Sequence, residues 1–371
     1  MMFDITATEC SKGMYIFCSI YYLFVSFYYK AKYITPKYTS NKLDITLFFL
    51  VFVYILLSFI NGDYWHYREF VINNDEFWKP SEEIYEVIAN AVGRHYLLFR
   101  CVVWGLALFV FLKIVKKYNL NSNSTLYYIF TVYIIIFSYA RATLAMAIFF
   151  CGFSFLFNTN TRKNRNVLIG LAIMLSSYFF HHSMLALIVL SLFCFLPANK
   201  YIYVTLFCLL PIIASLIGTI FQNFIGFGID SMELVYRKLE GYSEYEALEK
   251  SLLETIRSIW LYSLFYIPFF ISSWILLFKR PKEIPSYIYK LYSITYAIML
   301  FATSLLFLGF DNNIMFYRFL YMSMIPLTIL MCYFRENAYI SSGFYRRFIK
   351  YSICYIIITD VKKLLRFTPI S

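Results

Sequence analysis

Two clusters in this sequence carry residue types suited to chemistry at a membrane. One is Arg141. The other is His181-His182. A guanidinium in a low-dielectric pocket binds an anion, phosphate above all, through its bidentate fork. An imidazole titrates near neutral pH and can act as a general base. Each cluster is the one ionisable interruption of a long apolar run, 126–157 for Arg141 and 167–196 for the histidines. Either run is too long for a single span and suits two, since a span takes roughly 20 apolar residues. Each therefore reads as a helical hairpin with its ionisable group at the tip. Two crossings separate the tips, so both fall on the same membrane face whichever way the chain is oriented. The arms fall short of the ~30 Å hydrocarbon core, so the tips are expected slightly inside the membrane, lining a cavity. The plainer alternatives are an Arg snorkelling from a helix end and interfacial histidines bonded to backbone.

Other residues could join them. Arg318 stands near the outer end of a late span. With Arg141 it would let two cations hold a pyrophosphate, or it pairs structurally with Asp311. Arg68, Arg94 and Arg100 flank a long first loop, and Arg237 and Arg257 belong to a second. Tyr64-Trp65-His66-Tyr67 could stack on sugar faces, or form part of an aromatic belt. The sequence has no P-loop, no Gly-rich dinucleotide motif, no GxSxG and no Asp-x-Asp motif. Its eight Cys are scattered, without CxxC or a Cys/His cluster, so neither disulfides nor a metal nor any other cofactor is expected.

The elements that position these groups follow from composition. The chain is 61% hydrophobic and 15% charged, against about 25% charged in soluble proteins. It reads as an all-α polytopic integral membrane protein, one transmembrane domain over 1–371. Eleven spans are expected, at 14–29, 45–60, 96–112, 126–140, 142–157, 167–180, 183–196, 201–220, 258–278, 290–308 and 317–334, with 348–359 a twelfth or an interfacial helix. The run nearest the N-terminus lacks a signal peptide's basic region and reads as a retained helix. With the N-terminus outside, the inside loops hold 19 of the 33 Lys and Arg. The two long outside loops, 61–95 and 221–257, hold seven basic and fourteen acidic residues. The positive-inside rule then holds throughout, which accounts for the net charge of +12 without nucleic acid. The Arg141 and histidine tips become extracytoplasmic. In the first loop, 81–92 has helical apolar spacing (Ile84, Val87, Ile88, Ala91) and is expected on the outer surface. In the second, a charged amphipathic helix is expected from about Met232.

Ser138-Tyr-Ala-Arg141-Ala-Thr-Leu-Ala145 followed by Phe180-His181-His-Ser183 resembles the Arg-x-x-Leu-Ala and His-x-Ser pattern of EpsG-like proteins, which group with O-antigen and exopolysaccharide polymerases of the Wzy type. Asp63-Tyr-Trp-His-Tyr67 resembles the family's Asp-Tyr-x-x-Tyr segment, and Arg318-Phe-Leu-Tyr321 its late Arg helix start. The resemblance covers roughly 61–334, and the Gln that often follows the family's Arg is here Ala142. It implies a multi-pass protein of the bacterial inner membrane. Such a protein moves a glycan from undecaprenyl pyrophosphate onto the next lipid-linked repeat unit at the outer face. A chain-length regulator and a flippase of the same pathway are the implied partners. Arg141 and Arg318 would neutralise the leaving pyrophosphate, and His181 would deprotonate the acceptor hydroxyl. His182 or a loop carboxylate could take that role instead. Asp63, Arg68, Tyr67, Arg100, His182 and Arg257 are the expected substrate contacts. Two rivals remain: a flippase, which predicts polar span interiors and broken helices, and a membrane acyltransferase or other transferase modifying the same sugars.

Overall fold

A computed structural model describes residues 12–34, 42–57, 63–74, 79–138, 140–157, 164–197, 199–212, 215–216, 252–307 and 314–365. They are all-helical, with fifteen α-helices. Four helices are long and apolar enough to cross a membrane, and several shorter apolar helices accompany them. The chain is an integral membrane protein. It divides into two compact units, one of residues 1–188 and 328–371, the other of residues 189–327.

The first unit contains α1 (Lys12–Ile34), α2 (Ile45–Leu57), α3 (Asp63–Asn73), α4 (Ile84–Ala91), α5 (Tyr96–Lys117), α6 (Ser122–Phe137), α7 (Ala140–Phe157), α8 (Asn164–Phe180) and α15 (Ser342–Leu365). Its centre is α6, buried from Ser122 to Phe137 save for Ile135. A helix apolar all round has no solvent face to offer and sits inside. Its polar groups are satisfied locally: Asn121 caps its N-terminus through Asn123 N and Ser124 N, and Thr131 Oγ1 donates to Tyr127 O at 2.9 Å. Around it, α5 exposes Leu98, Val102, Leu106 and Phe109 along one stripe and buries the opposite face, as a lipid-facing helix should.

The helix ends sort into two groups. At one end Asp44, just before α2, accepts from Lys32 Nζ (2.7 Å) and Tyr33 Oη of α1, while its own N–H donates to Asn123 Oδ1 (2.7 Å) at the start of α6. Glu336 accepts from Asn121 N at the same end. At the other end the last turn of α2 meets the first turn of α5, and α3 and α4 pack there.

The second unit holds α10 (Lys200–Cys208), α11 (Leu252–Ser273), α12 (Ser286–Phe307) and α13 (Ile314–Met322), with the 3-10 turn Ser191–Phe195 and a π-helical segment Trp274–Lys279. Tyr203, Tyr292 and Tyr296 form its core, with Tyr203 Oη and Ser293 Oγ hydrogen-bonded at 2.6 Å and Tyr292 donating to Ser273 Oγ at 2.8 Å. Buried phenols need such partners.

Several expected boundaries shift. The span expected at 183–196 tightens from α9 (Met184–Leu190) into the 3-10 turn. The late span expected at 317–334 is present as Phe316–Glu336, with a one-residue turn at Ser323 between α13 and α14 (Met324–Glu336). In place of 348–359, α15 runs 24 residues and packs on α1 and α6. The expected amphipathic helix from Met232 and the Gly309–Asn313 loop lie outside the described residues, as does most of 158–166.

Candidate functional site

The site is built where α4, α8 and the turn after α8 meet. That turn, His181–Ser183, closes when His181 N–H donates to Ser177 O and Met184 N–H to His181 O. Within it His181 Nδ1 lies 2.8 Å from Ser183 Oγ and 3.3 Å from Ser183 N. The short first-loop helix supplies the rest. Glu82, 4% exposed, brings Oε1 to 3.9 Å from His181 Nδ1 and to 3.4 Å from the His182 N–H. Tyr85 Oη donates to Phe180 O at 3.1 Å and its ring packs against Tyr67 and Phe99.

The buried residues of α4 are therefore Tyr85 and Ala89, with Glu82 buried in the bend just before the helix. Of the apolar positions in the expected helical spacing, Val87 is 60% exposed and Ala91 is exposed. The physical reason is the solvent. Where a helix lies against lipid, apolar residues satisfy the outside and polar ones turn toward protein. Glu82 and Tyr85 are the members that sequence reasoning missed. Only Tyr85 stands on the helix; Glu82 lies in the turn ahead of it, where the Tyr85 N–H donates to Glu82 O at 3.2 Å.

Arg141 stands in the first turn of α7. Ser138 Oγ donates to Ile135 O and Thr143 Oγ1 to Ile136 O, closing the chain reversal before it. The level of Arg141 follows from the contact between α7 and α8. A Cβ on Gly152 would lie 2.6 Å from Gly170 O and Met174 N, so these antiparallel helices touch backbone to backbone. Arg141 lies about three turns before Gly152, and His181–Ser183 about three turns beyond the Gly170–Met174 contact. Arg141 and the histidine turn are thus level on adjacent helices. Phe137, the last residue of α6, stacks on Phe111, about four turns inside α5 from Tyr96. The hairpin tip is accordingly inset from the outer end of α5.

The remaining candidates are placed as follows. Tyr67 is buried on α3 against Tyr85 and Phe99, and its neighbour Arg68 holds Glu69 at 3.2 Å. Asp63 opens α3, with its side chain outside the described set. His182 is exposed, its ring 4.9 Å from that of Tyr178. Arg100 turns into the bundle, donating to Ile55 O at 2.6 Å and lying over the Trp104 ring. It thereby ties α5 to a carbonyl of α2. Arg94, at φ +57°, reaches Phe70 O of α3. Arg257 on α11 and Arg318 on α13 belong to the second unit. Arg318 is half-buried, next to Tyr317, whose Oη lies 3.1 Å from that of Tyr262.

His181 Nδ1 thus faces both the Ser183 hydroxyl and a buried carboxylate oxygen of Glu82. A family model described as the EpsG family matches residues 41–364. No curated protein and no solved structure matches the chain.

Proposed function

Because this chain belongs to the EpsG family, whose membership suggests a role in exopolysaccharide biosynthesis, we propose that it polymerises lipid-linked glycan repeat units at the extracytoplasmic membrane surface. The donor is the growing glycan on undecaprenyl pyrophosphate, and the acceptor is a sugar hydroxyl of the next lipid-linked unit. The bond between the anomeric carbon and the pyrophosphate oxygen breaks, the acceptor oxygen bonds to that carbon, and undecaprenyl pyrophosphate leaves. His181 Nδ1 takes the acceptor proton, and Glu82 stabilises the imidazolium. Arg141 neutralises the pyrophosphate as charge develops on it. The observation that carries this reading is the buried Glu82 carboxylate against the His181–Ser183 turn.

A flippase reading is favoured by one set of facts: Pro268 and the π-helical segment interrupt the end of α11, and a turn at Ser323 separates α13 from α14. One experiment separates the two. A host lacking the gene is complemented with wild type, Arg141→Ala or His181→Ala, and surface glycan is resolved on gels with membrane levels matched. Wild type is expected to restore a ladder and Arg141→Ala to leave a single repeat unit. Loss of even the single unit from the surface of the deletion host would make export the function. Unchanged length with a missing substituent would make it a modifying transferase.

A further inference from the structure

The second unit carries a cavity of about 590 Å³ that the proposed reaction does not use. It lies where the apolar helix Ser258–Lys279 ends and Ser286–Leu306 begins, so it opens at a membrane surface. Three cations line it, Arg280, Lys282 and Lys290, with Ser286 and Tyr289 adding hydroxyl groups and no carboxylate among the lining residues. Phe195, Leu196 and Ile284 supply apolar wall. The first turn of the 22-residue α12 borders it, presenting N–H groups and the positive end of the helix dipole. Lys290 Nζ donates to Cys194 O, which fixes this cation between α12 and the 3-10 turn.

Arg280 is the second observation. Its backbone is left-handed, φ 44° and ψ 60°, where an L side chain is strained and glycine is not. Its N–H closes the π-helical segment onto Ile275 O at 2.9 Å, a local geometry common at functional sites. A turn that suits glycine carries a guanidinium instead, on the wall of a cationic cavity.

We propose that this cavity binds the phosphodiester headgroup of an anionic glycerophospholipid. Cations and hydroxyls would take the phosphate, and the apolar wall the start of the glycerol ester chains. The volume falls in the range of about 300–1,000 Å³ usual for small-ligand sites. Apolar wall beside the charges favours a lipid over free phosphate, which would leave that wall bare. By the charge rule this surface is cytoplasmic, where basic pockets between spans meet anionic lipid.

The test uses the full-length protein in detergent. Phosphatidylglycerol, phosphatidylcholine or inorganic phosphate is titrated, and bound lipid is read by native mass spectrometry alongside thermal unfolding. Phosphatidylglycerol is expected to bind at least tenfold more tightly than phosphatidylcholine and to raise the melting temperature, with inorganic phosphate inert. Arg280→Gly with Lys282→Gln should weaken phosphatidylglycerol at least tenfold while the lipid-free melting temperature holds or rises, because glycine relieves the left-handed backbone. Should that pair fail to fold, the exposed Lys282→Gln alone is expected to weaken binding. Equal binding of the two lipids, unchanged binding in the variants, or equal protection by inorganic phosphate would each overturn the proposal. None of these outcomes depends on the ladder experiment.

Discussion

A carboxylate buried as deeply as that of Glu82 costs several kcal/mol unless charge or hydrogen bonds meet it. The His182 N–H donates to it at 3.4 Å and the His181 ring stands 3.9 Å away, so the turn and the carboxylate explain each other's position. Glu82→Gln keeps the shape and removes the charge, and is expected to slow chain extension by about 10–100-fold at unchanged membrane level. Adding His181→Ala should then cost little more, because the pair acts as a unit. A full-length ladder from Glu82→Gln would remove the carboxylate from the site. Asp44 offers a pH test at the opposite end of the unit. Burial pushes its carboxyl up, but hydrogen bonds from Lys32, Tyr33 and the Leu47 N–H outweigh that and hold it below the usual value of 3.8. A depressed carboxyl stabilises the fold above its unfolded value, and the contribution fades as pH falls through the folded one. Thermal unfolding should thus show wild type losing stability below about pH 4, with Asp44→Asn less stable at pH 7 and less sensitive to acid. At this scale the sequence showed that Arg141, His181 and Arg100 are unusual, because an ionisable group in an apolar run stands out by itself. It could not show that Arg100 closes a carbonyl of α2, because that depends on a partner 45 residues away.

Helices α7 and α8 are the element-level determinant of the site. Gly152 and Gly170 let the two backbones touch, and that contact sets the register which levels Arg141 with His181. Small residues at a helix crossing are how spans pack where lipid offers no hydrophobic drive. Gly152→Ala puts a methyl against backbone that cannot step aside, and should cost roughly 1–3 kcal/mol as a lower melting temperature in detergent. Extension should fall with it even where protein survives, since Arg141 is displaced. A Gly152→Ala protein with wild-type stability and a full ladder would mean that the crossing tolerates more than the geometry allows. The chain reversal at His181–Ser183 was legible in the sequence because a polar interruption marks it, but the pair that packs closely is α7 with α8 rather than either expected hairpin. The extent of α15 was not legible. Arg346, Arg347 and Lys350 at one end and Asp360 with Lys362 and Lys363 at the other trimmed its apolar run to twelve residues. The helix continues because its inward face, Tyr345, Phe348, Ile349, Ser352, Ile353 and Ile356, is set by packing rather than by mean hydropathy.

At the scale of the whole molecule, we propose from loop charge that the end that gathers Lys32, Lys42 and Asn121 is cytoplasmic. An epitope tag within 158–166 should be shielded in intact cells, and one within 221–257 reached from outside. The reverse pattern would invert the protein and move the histidine turn to the cytoplasm. The multi-span character was readable because long apolar runs stand out without any knowledge of packing. The inward face of α4 was not, because lipid reverses the usual meaning of an apolar stripe. The central place of α6 has a consequence for biogenesis. Its neighbours include α15, which the ribosome reaches about 200 residues later. At roughly 5–20 residues per second that is a delay of roughly 10–40 s. During that interval the Tyr128 flank, later covered by Tyr345 and Phe348, must be sheltered by lipid, an insertase or a chaperone, and assembly of this unit is finished only by one of the last segments to be made.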